Sequence, residues 1–167
     1  MASKTSFTPD EWSRLVGSVM VAGMAVTASD PSGLWGLMKE SLSGGWEARK
    51  DPQANELVKA VASDFATPQT RDETRAALQS RFSVKDISEI KVRAIEELRA
   101  VSSLLDAKAP ADAPAFKDWL RDIAQKAAEA ANEGGFLGFG GVPVSDAEKA
   151  TLAEIAAALS APSGSRV

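Results

Sequence analysis

The chain has 167 residues, with 19 basic and 23 acidic side chains and a formal net charge of −4 at pH 7. This length suits one domain or two small ones, and it can bury a sizeable core. The absence of His, Cys and Tyr excludes Ser-His-Asp and Cys-His hydrolases, thiol redox enzymes and zinc sites built from Cys or His. The sequence pI near 5.0 and the lack of any basic segment predict no nucleic-acid binding.

The first helix signal is a capping hydroxyl at Thr8, followed by Pro9 and by Glu11 at the third helical position. An uncharged stretch then runs from Leu15 to Ser29. As a helix it would span about 22 Å, which is shorter than the roughly 30 Å hydrocarbon core of a membrane. It therefore predicts a buried central helix and no membrane span. At the start of the chain, Asp10 and Glu11 come before the first apolar run, so no export signal is predicted and a cytoplasmic location is expected.

Turn and capping residues mark the predicted helix boundaries between residues 30 and 73. The run 30–33, Asp-Pro-Ser-Gly, predicts the end of the first helix and the start of a short second one, which stops at Gly44 and Gly45. Asp51 and Pro52 predict the start of a third helix. Thr70 and Glu73 have the spacing of a capping box, which predicts a fourth helix from this point.

A long helix is predicted from about Val84 to Ala107, because apolar residues recur at three-and-four spacing and form one stripe. The charged residues off this stripe predict a solvated face: Lys91, Arg93, Glu96, Glu97 and Arg99. Residues 106–115 are rich in Pro and Ala and predict a linker before a sixth helix that carries Phe116 and Trp119. Ser145 and Glu148 form another predicted capping box, which starts the last helix.

These elements predict an all-α fold, a single helical bundle of about seven helices over residues 1–159, followed by a disordered tail at 160–167. The tryptophans are expected to anchor the core: Trp12, Trp35, Trp46 and Trp119. No cofactor is expected to be required for folding, although a divalent cation could bind through carboxylates.

One segment departs from a plain bundle. It is rich in glycine but its other residues are large and apolar: Gly134, Gly135, Phe136, Leu137, Gly138, Phe139, Gly140 and Gly141. Its side chains could plug the end of the bundle, with glycine allowing the turns. The same loop could instead form a ligand or partner site, or touch a membrane with its tip. It lacks both the strand and the spacing of a phosphate-binding loop.

Carboxylates are the candidate metal ligands of this chain, because hard cations such as Ca²⁺ and Mg²⁺ accept oxygen-only sites. Those near the helix corners are Asp30, Glu133, Asp146 and Glu148. Helix capping is the competing interpretation for Asp30, Asp146 and Glu148.

The two halves of the chain resemble each other when shifted by 102 residues. The shift aligns Ala22 with Ala124 and Ala25 with Ala127, and it aligns Gly33 and Gly36 with Gly135 and Gly138. Small residues at this spacing allow two helices to pack closely. The pattern indicates either a duplicated helix-corner unit or a coincidence in an Ala-rich chain.

The carboxyl-terminal segment resembles the tellurite-resistance TerB family. The resemblance covers about 40 residues: an Ala-rich helix from Ile123 that ends in the acidic corner Asn132-Glu133-Gly134, and a second helix that starts at Val144-Ser145 and carries Leu152, Ile155 and Leu159. It implies an all-helical fold, a link to stress and tellurite resistance, and metal binding through acidic residues.

Three functions follow from these observations. The leading hypothesis is a non-enzymatic cytoplasmic helical protein that binds an unknown protein or small ligand. The second is a metal-binding protein or metal enzyme that uses Glu133, Asp146 and Glu148. The third is a carrier of hydrophobic ligands, based on the Met and Ala interior around Met20 and Met24.

Overall fold

The computed structural model describes residues 1–28, 55–82, 87–133 and 144–160, with the backbone alone at 87–88 and 130–133. The described parts contain one short 3-10 turn, Lys4–Ser6, and six α-helices. The helices are α1 (Pro9–Thr27), α2 (Glu56–Phe65), α3 (Pro68–Arg81), α4 (Ile87–Lys108), α5 (Ala113–Glu133) and α6 (Asp146–Ser160). The predicted all-α fold is confirmed. The predicted short second helix, the glycine-rich loop and the residues after Ser160 lie outside the described residues.

Helix α1 is the centre of the bundle and contacts each of the other five helices. Its most extensive contacts are with α4 and α5. The prediction of a buried central helix is confirmed, because apolar side chains are buried on several sides of α1: Leu15, Val16, Val19, Val21, Ala22, Ala25 and Val26. No helix in the described ranges is long and apolar enough to cross a bilayer.

Helix α4 buries the stripe that its sequence predicts. Ala94, Leu98, Val101 and Leu105 are each 0% exposed. The charged face is solvated as predicted at Arg93, Glu96 and Arg99. Lys91 and Glu97 are half-buried instead: the Lys91 side chain is 27% exposed beside Glu154, and the Glu97 side chain is 16% exposed and lies between Arg14 of α1 and Arg81 of α3.

The predicted pairing of the small-residue helices is also present. Helices α1 and α5 pack against each other, and Ala22, Ala25, Ala124 and Ala127 are buried at 0–1% exposure. The glycines of the proposed duplicated corner lie outside the described residues, so the duplication stays a prediction.

Three predicted boundaries are wrong. Helix α3 begins at Pro68 with Thr67 as its N-cap, so Thr70 lies inside the first turn and does not cap it. Helix α2 begins at Glu56, where the Asn55 side chain accepts a hydrogen bond from the Leu57 amide, and not at Asp51. The linker predicted at 106–115 is shorter in the structure and covers 109–112, because α4 continues to Lys108 and α5 starts at Ala113.

Helix α3 is held less firmly than the others. Only Thr74 and Leu78 are buried along its 14 residues. Both lie over α1, where a Cβ added at Gly17 would be 3.8 Å from Thr74 Cγ2 and 3.8 Å from Leu78 Cδ2. These two buried side chains attach α3 to α1, and α3 also contacts α2.

The N-caps give a matched pair of stability tests. We expect Thr67→Ala to cost about 0.5–2 kcal/mol, because it removes the acceptor for the Thr70 amide, whereas Thr70→Ala should cost clearly less. Thr8→Ala and Ser145→Ala should cost about as much as Thr67→Ala, since each breaks a complete capping box. Urea unfolding of the four variants measures this, and equal losses for Thr67→Ala and Thr70→Ala would contradict the observed start of α3.

Candidate ligand-binding cleft

A cleft of about 500 Å³ lies where the amino-terminal 3-10 turn, α1, the end of α2 and the start of α3 meet. This volume is within the roughly 300–1,000 Å³ that small-ligand sites usually have. Phe7, Trp12 and Val16 supply apolar surface, and the remaining lining is mostly polar: Lys4, Thr5, Pro9, Ser13, Asp64, Thr70, Glu73 and Thr74. We call this site the Trp12 cleft.

Trp12 is fixed in place from two sides. Its ring packs against Phe7 at a centroid distance of 6.0 Å, and both residues belong to the hydrophobic core. Its indole Nε1 donates a hydrogen bond of 2.8 Å to Asp64 Oδ2 of α2. Trp12 is 6% exposed, so the prediction that it anchors the core is confirmed. Trp12 is also one of the residues that line the cleft.

Asp64 joins three elements through one oxygen. Its Oδ2 accepts the indole hydrogen bond from α1 and also a hydrogen bond of 2.6 Å from Lys4 Nζ of the 3-10 turn. Lys4 Nζ lies 5.6 Å from the centroid of the Trp12 ring, a distance at which a cation is attracted to an aromatic face. A carboxylate and an aromatic ring therefore hold one ammonium group together.

The surroundings of Asp64 favour its charged form. Burial alone would raise the pKa of this carboxyl, but the hydrogen bonds from Lys4 and Trp12, together with the charge of Lys4, outweigh it and lower the pKa below its ordinary value. Asp64 is therefore ionised at neutral pH, and its negative charge is paired with the ammonium group of Lys4.

The opposite wall belongs to α3. Thr70 and Thr74 line it there; Thr74 is 4% exposed, and the Thr70 hydroxyl is hydrogen-bonded to that of Thr67 at 2.7 Å. Glu73 adds a second carboxylate, which accepts a hydrogen bond of 3.0 Å from Gln69. The lining thus carries two carboxylates and one ammonium group, so its charge is negative. A lining that combines apolar residues with a negative net charge suits a ligand that has an aliphatic or aromatic body and a positively charged end.

The carboxylates predicted to bind metal have several environments. Asp146 is fully exposed and lies 3.6 Å from Lys149 Nζ, whereas Glu148 is 1% exposed and closes the capping box with Ser145. Glu133 is the last residue of α5, and Asp30 lies outside the described residues. Within the described ranges, no three carboxylates come close enough together to hold a metal ion. The metal site stays a prediction from the sequence.

The predicted ligand loop, Gly134 to Gly141, lies outside the described residues and also stays a prediction. Sequence reasoning missed the Trp12 cleft, because Lys4, Trp12 and Asp64 come from three separate elements. A local signal was available for one wall: Thr67-Pro68 repeats the Thr8-Pro9 pattern and marks the true start of α3.

No protein-family model, curated protein or solved structure matches this chain.

Proposed function

We propose that this protein acts by binding, and that it holds an organic ligand or a segment of a partner protein in the Trp12 cleft. The observation that supports this proposal most is the placement of Trp12, which is one of the residues lining the cleft and whose indole N–H is fixed by Asp64. A rigid aromatic base with a few oriented polar groups is the usual composition of a recognition site.

Binding explains the site better than catalysis does. The lining residues include no His or Cys, and the chain contains neither. The nucleophile-and-base pairs of most hydrolases therefore cannot form in the cleft. The cleft supplies instead what a ligand needs for affinity, which is apolar contact area and charged groups that orient it.

A cytoplasmic location and a role in stress or tellurite resistance remain predictions made from the sequence. The resemblance to the TerB family supports the second of these, and it concerns the segment from Ile123 to Leu159 and not the Trp12 cleft. The proposal for the cleft is independent of that resemblance.

The experiment is a screen of small aromatic, aliphatic and amine fragments against the ¹⁵N-labelled full chain by NMR. We expect some fragments to shift the indole signal of Trp12, identified among the four tryptophans by Trp12→Phe. Ser13→Trp places a large ring inside the cleft and should abolish these shifts. Ser80→Trp, at an exposed position on α3, is the control and should leave binding unchanged.

Two results would overturn the proposal. One is a screen in which no fragment shifts the Trp12 signal. The other is a set of fragments that bind Ser13→Trp as tightly as the unmodified chain, because binding would then occur outside the cleft.

A further inference from the structure

We infer that Trp12 and Asp64 form a subsite for a lysine or arginine side chain of a partner peptide, and that Lys4 is its internal occupant, which the partner displaces. This inference rests on the proposed function and adds the class of ligand and the means by which the site is kept closed.

Lys4 occupies the subsite as a bound cation would. Its ammonium group meets a carboxylate oxygen at 2.6 Å and an aromatic ring at 5.6 Å, which is the combination that recognises cationic groups in proteins. Lys4 is itself presented by a peptide segment with extended backbone on each side, at Ser3 and Phe7. The molecule therefore contains its own example of a peptide lysine seated against Trp12.

The Lys4 side chain is easy to displace. It is 64% exposed, and no residue of the 3-10 turn that carries it is buried. Exposed ion pairs and exposed cation–π contacts each contribute little, because water solvates the released ammonium group. By contrast, the carboxylate and the ring that contact the ammonium group are held in place, because Trp12 is buried and its indole N–H is hydrogen-bonded to Asp64.

The attachments on either side of Lys4 allow its side chain to leave the subsite without moving the main chain. Before it, the Ala2 amide donates a hydrogen bond of 2.6 Å to the buried Asp112; after it, Phe7 is packed into the core. The main chain can stay attached at both points while the four-carbon side chain rotates into solvent. The rest of the cleft, towards Glu73 and Thr74, then receives the remainder of the partner peptide.

The test uses the ¹⁵N-labelled full chain and two acetylated, amidated tripeptides, one with a central lysine and one with norleucine, its uncharged analogue. Binding is followed at the Trp12 indole signal. We expect Lys4→Met to lower the Kd for the lysine peptide about fivefold, as expected when an exposed ion pair and an exposed cation–π contact no longer compete. Lys149→Met, which removes another exposed lysine with an acidic neighbour, should leave the Kd unchanged.

Two further arms test the chemistry of the subsite. Adding Asp64→Asn to Lys4→Met keeps a side-chain oxygen near the indole but removes the charge, and should weaken binding of the lysine peptide to below that of the unmodified chain. The norleucine peptide should not gain affinity from Lys4→Met.

The inference is overturned if Lys4→Met leaves the Kd unchanged, if Lys149→Met lowers it equally, or if no lysine peptide shifts the Trp12 signal. Equal binding of the norleucine peptide also overturns it, yet this result would leave the proposed function standing, because an uncharged ligand would then occupy the cleft. Failure of the fragment screen together with that of both peptides would overturn both proposals.

Discussion

Replacing Phe116 with alanine should lower the free energy of unfolding by about 3–5 kcal/mol. Phe116 is 0% exposed and lies edge-to-face against Trp119, with ring centroids 5.3 Å apart. Removing the ring loses its transfer free energy and leaves a cavity in a core that cannot fully collapse around it. Urea unfolding followed by circular dichroism measures the loss.

Val92→Ala is the matched control for Phe116→Ala, because Val92 is 57% exposed on α4 and its loss opens no cavity. Its free energy of unfolding should stay within about 0.5 kcal/mol of that of the unmodified chain. Similar unfolding midpoints for the two variants would contradict the position of Phe116 in the core.

Asp112→Ala is expected to cost about 1–3 kcal/mol. The Asp112 side chain, between α4 and α5, holds the amino-terminal segment and the N-cap of α2. Its Oδ2 accepts a hydrogen bond from the Ala2 amide at 2.6 Å, and its Oδ1 accepts one from Asn55 Nδ2 at 2.7 Å. The residue is only 3% exposed, so the substitution leaves donors without these acceptors in a place that water reaches poorly. Asp118→Ala, where the side chain is 68% exposed, is the control and should change little.

The contribution of Asp112 should also depend on pH. Burial alone would raise the pKa of its carboxyl, but the hydrogen bonds from Ala2 and Asn55 outweigh this and lower it below the ordinary value. A folded pKa below the unfolded one means that the contribution is present above the unfolded pKa, about 3.9, and is lost as the pH falls through the folded pKa. Asp112→Asn should therefore lose less stability on acidification than the unmodified chain. Parallel losses in acid urea titrations would contradict this assignment.

The sequence predicts the helices well wherever the signal is local. The capping boxes of Thr8 and Ser145 are formed as expected, because each needs only residues three positions apart. The predicted cap at Thr70 is wrong because the Thr-Pro pattern that marks Thr8 as an N-cap occurs again three residues before Thr70. Thr67 is followed directly by Pro68, whose fixed φ suits the first helical position, so the earlier threonine becomes the cap.

The Trp12 cleft could not be predicted in this way. Asp64 is 52 residues from Trp12 and 60 from Lys4 along the chain, and only the packing of α2 beside α1 brings them together. The hydrogen bond of the Trp12 indole could not be predicted either, because hydrophobicity predicts that the ring is buried but not which acceptor its N–H meets. Glu97 gives a similar case: the helical pattern predicts a solvated side chain, but two arginines from other helices pair with it and it is only 16% exposed.

The sparse burial of α3 has a consequence for the motions of the molecule. A helix that contributes two buried side chains loses little when it detaches, whereas detaching α1 exposes much of the core. Local opening of α3 therefore costs less free energy than global unfolding, and its amide hydrogens should exchange with solvent deuterium well before those of α1. Thr70, Glu73 and Thr74 belong to α3, so we expect this wall of the cleft to open locally while the wall that carries Trp12 keeps its position.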